Sequence, residues 1–180
     1  MLRRLRVYVQ SLRRLRVWHR YLGLALAAFL LVSAVTGLLL GWKKDADWIQ
    51  PPTQRGSAAA LADWLPLQQV AAAATAGLYA AQPAQTGNPI DRLDVRPDKG
   101  TVKVLFAHDN WEVQVDGGTG AVLSVAKRHS DWIESLHDGS IVGDLFKLIS
   151  MNLLGIGLTL MTVTGIWLWY GPQVVRRLKK

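Results

Sequence analysis

The stretch YLGLALAAFLLVSAVTGLLLGW, from Tyr21 to Trp42, contains no charged residue. About 20 apolar residues at helical rise cross the hydrocarbon core of a bilayer, so this stretch is long enough to span one. A second uncharged stretch, Leu148 to Val175, is longer still. A cleaved signal peptide is the competing account of the first, since Val32-Ser33-Ala34 resembles a cleavage site. Signal apolar regions run to about 7–15 residues, however, and Tyr21–Trp42 exceeds that. The reading is an α-helical membrane protein with two transmembrane helices.

Charge placement orients the spans. The chain carries 21 Lys and Arg against 13 Asp and Glu, a net of +8. Residues 1–42 hold seven arginines and no acid, residues 148–180 hold four basic residues and no acid, and every acid lies between. Basic flanks stay on the cytoplasmic side, which predicts both termini inside and the middle of the chain outside. A nucleic-acid binder would place its basic residues on a folded, groove-facing surface, so no nucleic-acid partner is expected. Interfacial aromatics fit the same topology. Trp18, Tyr21, Trp167, Trp169 and Tyr170 mark the inner face, and Trp42 and Trp48 the outer. With no cysteine, disulfides, thiolate catalysis, iron–sulfur clusters and covalent haem attachment are excluded. Walker and dinucleotide fingerprints are absent, so nucleotide, flavin and nicotinamide binding have no motif to rest on.

These signals divide the chain into six segments. Residues 1–20 form a basic amphipathic cytoplasmic segment, in which Leu2-Arg3-Arg4-Leu5-Arg6-Val7 recurs as Leu12-Arg13-Arg14-Leu15-Arg16-Val17. It reads as a helix lying on the anionic inner leaflet, in contact with membrane lipid. Residues 21–42 are the first span. Residues 43–130 are a small α+β external domain. Residues 131–147 are an interfacial segment containing a short helix from Asp131 to Leu136. Residues 148–171 are the second span, stopped by Gly171-Pro172, and 172–180 are a basic tail.

Within the external domain, Pro51–Gly56 reads as a linker and the Ala-, Leu- and Gln-rich run from Ser57 to Ala81 as a helix weakened at Gly77. Alternation through Leu93 and Val95, then Val102, Val104 and Phe106, then Trp111, Val113 and Val115, predicts strands. Asp98-Lys99-Gly100 and Asp116-Gly117-Gly118 mark turns, and Val122, Leu123 and Val125 a further strand. The expected domain is one helix on an antiparallel sheet of three or four strands. Its serines and histidines have no nucleophile-elbow or triad context.

The histidines carry more information. His19 lies at the inner mouth of the first span and His137 just outside the second. Each admits a plain account, as an interfacial residue or a local cap, beside a ligand role. His19 to Trp42 covers roughly 35 Å of helix, so the two rings lie at opposite membrane faces and do not ligate one iron. If each ring ligates an iron it needs a mate, and a two-fold axis in a homodimer or larger even oligomer is the simplest source. His108 and His129 read as surface residues. The Thr-Gly pairs at Thr36-Gly37 and Thr164-Gly165, with Gly23, Gly155 and Gly157, let another helix or a flat ring approach the backbone closely.

Trp18-His19-Arg20-Tyr21-Leu22-Gly23-Leu24 followed by Val35-Thr36-Gly37-Leu38-Leu39, then Thr119-Gly120-Ala121-Val122-Leu123, Leu136-His137-Asp138-Gly139 and Val163-Thr164-Gly165-Ile166-Trp167-Leu168-Trp169, occur in the order seen in the PepSY-associated transmembrane proteins, which this sequence resembles. The resemblance implies a PepSY-like periplasmic domain and, from the better-understood members, a b-type haem inner-membrane redox protein similar to ferric-siderophore reductases. Under that reading His19 and His137 are axial ligands to haem iron and two haem b are held per homodimer. An unidentified cytoplasmic donor supplies the electrons, and the acceptor is a ferric siderophore or other iron chelate. The reductases of this kind have four spans where this chain has two, so bis-His haem requires a second copy. The alternative is a membrane-tethered PepSY interaction or inhibitory module without redox activity.

Overall fold

The computed structural model describes residues 2–57 and 60–178. The chain forms two compact units, one from residues 1–37 with 135–180 and one from residues 38–134.

The first unit is built on two long helices, α1 (Leu2–Gly41) and α4 (Asp144–Leu178). They run antiparallel, because partners step down α4 as they step up α1. Leu12 packs on Gly171, His19 on Gly165, Met161 on Gly23 and Leu26 on Gly157. Each helix holds a seam in alternating steps of three and four residues, the spacing of coiled-coil-like packing. On α1 it runs through Leu12, Leu15, His19, Leu22, Leu26, Phe29, Ser33 and Thr36. On α4 it runs through Leu154, Gly157, Met161, Thr164, Leu168 and Gly171, and every one of these positions is buried or half-buried. The remaining faces leave large apolar residues such as Leu24, Leu31, Val35, Leu153, Ile156 and Val163 exposed. Only 11% of each apolar stretch is buried. A soluble core helix would be mostly covered, so these faces suit lipid.

Two sequence expectations change here. The basic segment 1–20 is not a separate helix in the plane of the leaflet. It continues α1 without a break, and the described part of its apolar stripe, Val9, Leu12 and Leu15, is buried or half-buried, with Leu12 against Gly171 of α4. The arginines at 3, 6, 13, 14, 16 and 20 are left exposed. Gly171-Pro172 does not stop the second long helix either, because α4 continues through Pro172 to Leu178. A proline removes one helical N–H and crowds the carbonyl four residues back, a local cost that bundled helices tolerate. The repeat residues Leu2, Arg4 and Leu5 have backbone but no described side-chain environment, and Lys179 and Lys180 lie outside the described residues.

The second unit is a four-stranded antiparallel meander, β1 (Ile90–Arg96), β2 (Thr101–Phe106), β3 (Trp111–Asp116) and β4 (Val122–Lys127), in the order β1-β2-β3-β4. Helix α2 (Leu67–Ala81) lies on one face, where Val70, Ala74 and Leu78 meet Val102, Val104, Phe106, Val113 and Val115 in one fully apolar core. Gly77 lies within α2, which continues to Ala81. It lets the helix approach β4, since a Cβ there would stand 2.7 Å from Val122 Cγ2. The helix starts ten residues later than composition suggested, because Pro66 occupies its N-cap and Leu61–Asp63 form a separate 3₁₀ turn. Residues 58 and 59 of that expected helix lie outside the described residues.

The other sheet face is polar yet buried, and residues 50–57 explain this. They are not a free linker. Gln54 N donates to Gln114 Oε1 (2.7 Å), Gln114 Nε2 to Pro52 O (2.9 Å), and Thr101 Oγ1 to Gln54 O (3.0 Å). Ser57 binds both oxygens of Asp116. Burial pushes the Asp116 carboxyl up, but the hydrogen bonds from Ser57, Gly118 and Thr119 outweigh it and hold the group below its usual range. Helix α3 (His129–Asp138) follows β4, longer than the Asp131–Leu136 read from sequence. Within it Ile133 is buried and Trp132 is exposed.

Candidate functional site

His19 occupies the α1 seam, and its Nδ1 lies 2.7 Å from Thr164 Oγ1 on α4. The proton on that contact is assigned by what lies beyond it. Thr164 Oγ1 is 2.6 Å from the Leu160 carbonyl, and only the hydroxyl has a proton to give there. The hydroxyl therefore accepts from the ring, so Nδ1 carries hydrogen and a neutral imidazole keeps its free lone pair on Nε2.

His137 sits in the last turn of α3 and repeats this arrangement at the other end of α1. Its Nδ1 lies 3.0 Å from the Ser33 carbonyl and 3.1 Å from Thr36 Oγ1. A carbonyl only accepts, so Nδ1 again carries the proton. Thr36 Oγ1 gives its own proton to Val32 O at 2.7 Å, as Thr164 does to Leu160. Ser33 Oγ also donates to the main-chain oxygen of His137 at 3.2 Å. Each ring lies against the glycine that follows its threonine. A Cβ on Gly37 would stand 3.2 Å from His137 Cε1, and one on Gly165 3.5 Å from His19 Cε1.

The two histidines are thus built to one plan but kept apart. From His19 to Thr36 the α1 axis rises about 25 Å. Asp138 does not orient His137. Its carboxylate bonds Ser140 N (2.9 Å) and Lys147 Nζ (2.5 Å), which closes the turn into α4. Gly139 and Gly143 in that turn have φ of 79° and 145°, conformations that glycine adopts without strain. His108 is exposed in the β2–β3 connection, with its backbone held by Asn88, and His129 is exposed at the start of α3.

The partners of the two rings were only half visible in sequence. Val35-Thr36-Gly37 and Val163-Thr164-Gly165 stand out as a repeat, but their glycines, not their hydroxyls, drew attention as places of close approach. Ser33 gave no signal beyond its position one helical turn before the pair. Among the described residues no three His, Asp or Glu side chains gather to hold a metal ion. Axial ligation of a macrocycle asks for only one imidazole per side. With Nδ1 tied and Nε2 free, His19 and His137 are in the form that such ligation uses.

No curated protein matches the chain. The family described as the PepSY-associated TM region matches residues 16–179, which takes in α1 from Arg16 onward, all of α4, both histidine seats and the sheet domain. The chain is a membrane protein that belongs to the PepSY-associated transmembrane family.

Proposed function

We propose that this chain is a b-type haem redox protein of the bacterial inner membrane. In this reading both termini are cytoplasmic, the sheet domain is periplasmic, and electrons pass to a periplasmic acceptor such as a ferric siderophore or other iron chelate. The observation that carries the reading is the matched pair of imidazoles, His19 and His137, each with Nδ1–H held by acceptors on the facing helix and Nε2 left free. Haem bound at these positions supplies a one-electron ferric–ferrous couple.

The chain's own residues do the rest. Thr36 and Thr164 orient the rings, while Gly37 and Gly165 leave the space beside them. The apolar faces of α1 and α4 keep the surroundings dry, which strengthens the electrostatic effect of the neighbouring dipoles. Each seat offers one imidazole, so a homodimer is the simplest assembly that gives each iron two, and it would hold two haem b. Charge placement supports the orientation, with arginines at one pair of helix ends and all acids between the spans.

Purification in mild detergent tests the reading. A red protein with a reducible Soret band and the mass of a dimer is the expected result. A colourless preparation after expression with ample haem would contradict it and favour a tethered interaction module. A haem-loaded monomer would contradict the shared ligation.

A further inference from the structure

We propose that Thr164 is a positioning residue that sets the ring tautomer of His19, and that the two seats are unequal: His19 depends on its threonine alone, whereas His137 has a main-chain acceptor beside Thr36. The hydrogen-bond chains carry this. At the His19 seat the sequence is Nδ1–H to Thr164 Oγ1 (2.7 Å), then Oγ1–H to Leu160 O (2.6 Å). The proton of Thr164 is committed within its own helix, to a residue one turn back, as threonine in a helix commonly arranges. The hydroxyl is thereby left as an acceptor facing His19. Replacing it by a methyl group leaves Nδ1–H with no acceptor shown in the structure. The ring then has no reason to keep its proton on Nδ1 rather than Nε2.

At the His137 seat the same chain exists, Nδ1 to Thr36 Oγ1 (3.1 Å) and on to Val32 O (2.7 Å). The Ser33 carbonyl stands at 3.0 Å on the same nitrogen, however, and no side-chain substitution removes it. Thr36 is therefore redundant for the tautomer and Thr164 is not. Valine matches threonine in shape and serine keeps the hydroxyl, so the two substitutions separate packing from hydrogen bonding.

The haem part of the test rests on the function proposed above, whereas the tautomer part does not. The full-length protein in detergent is compared as wild type, Thr164→Val, Thr164→Ser, Thr36→Val and Thr36→Ser. ¹⁵N NMR of the four histidines in haem-free protein reads the tautomers, and haem titration reads affinity at the two seats. Thr164→Val is expected to move His19 from the Nδ1–H form to a mixture and to weaken haem at one seat by about 10–100-fold, the usual effect of losing a partner behind a ligand. Thr164→Ser should restore both. Thr36→Val should leave His137 as Nδ1–H and weaken haem by less than about tenfold. An unchanged His19 tautomer in Thr164→Val, or equal damage from Thr36→Val, overturns the proposal. If wild-type protein takes up no haem, the functional reading falls, and the tautomers alone decide this one.

Discussion

Lys103 Nζ lies 3.2 Å from Glu112 Oε1, and both side chains are almost wholly removed from water, at 2% and 0% exposure. Arg128 holds the other oxygen of Glu112 at 3.0 Å, and Gln114 donates to Oε1 at 2.8 Å. A buried ion pair adds little net stability, because desolvation offsets the attraction, but removing one partner strands a buried charge. Glu112→Gln strands the buried Lys103 ammonium, while Arg128 keeps Asp131 at 3.1 Å, and should cost about 3–5 kcal/mol. Denaturant unfolding of purified protein checks this, and a loss below 1 kcal/mol would show that the face is wetter than described.

The crossing of residues 50–57 over the sheet depends on Gly56. A Cβ there would run into the Gly100 carbonyl, a backbone group with no rotamer to yield, and Gly56 N also donates to Lys99 O at 2.8 Å. Gly56→Ala should destabilise by about 1–3 kcal/mol through overpacking and expose amides of residues 50–57 to hydrogen exchange. Gly155 is the contrast, since a Cβ there meets nothing within 4 Å. Gly155→Ala should be neutral or raise stability by up to about 1 kcal/mol from helix propensity. Equal effects at the two positions would count against the packing described.

Asp138 supplies a pH signature. Burial pushes its carboxyl up, but hydrogen bonds from Lys147 and Ser140 and the charge of Lys147 outweigh this and hold it at about 2, against 3.8 ordinarily. A carboxylate held below its unfolded value stabilises the fold above pH 3.8, and that contribution is lost as the pH falls through about 2. Lys147 is half exposed, at 49%, so the effect should stay under about 1 kcal/mol. Lys147→Met should be less stable than wild type at neutral pH, and the difference should vanish near pH 2. A difference that grows on acidification would reverse the assigned sign.

Topology is checked directly. A reporter joined after Lys180 should behave as cytoplasmic, and one inserted at Thr86, exposed after α2, as periplasmic. The reverse pattern would contradict the orientation drawn from the arginines.

The parts of this fold legible in sequence are those set by local signals. Charge-free length marked both spans, and alternation marked the strands. The misread parts depend on distant partners. Residues 50–57 look like a linker until Gln54 is placed beside Gln114, sixty residues on. The start of α2 was lost in an alanine-rich run in which Pro66 was the real marker. The basic segment 1–20 is amphipathic, but periodicity alone does not say whether its apolar stripe faces lipid or α4. The histidines themselves were visible as candidates. The threonines that orient them appeared only as a repeated Val-Thr-Gly, because nothing local pairs residue 19 with 164 or residue 137 with 36.

The central claim is that His19 and His137 hold separate haems. Haem content of His19→Ala, His137→Ala and the double variant tests it most directly, with His108→Ala and His129→Ala as controls. Each ligand variant should keep about half the haem of wild type and the double variant none, because sites about 25 Å apart act independently. The controls should keep all of it. Full haem in the double variant, or bleaching by a control while His19→Ala and His137→Ala keep the wild-type spectrum, would contradict the account.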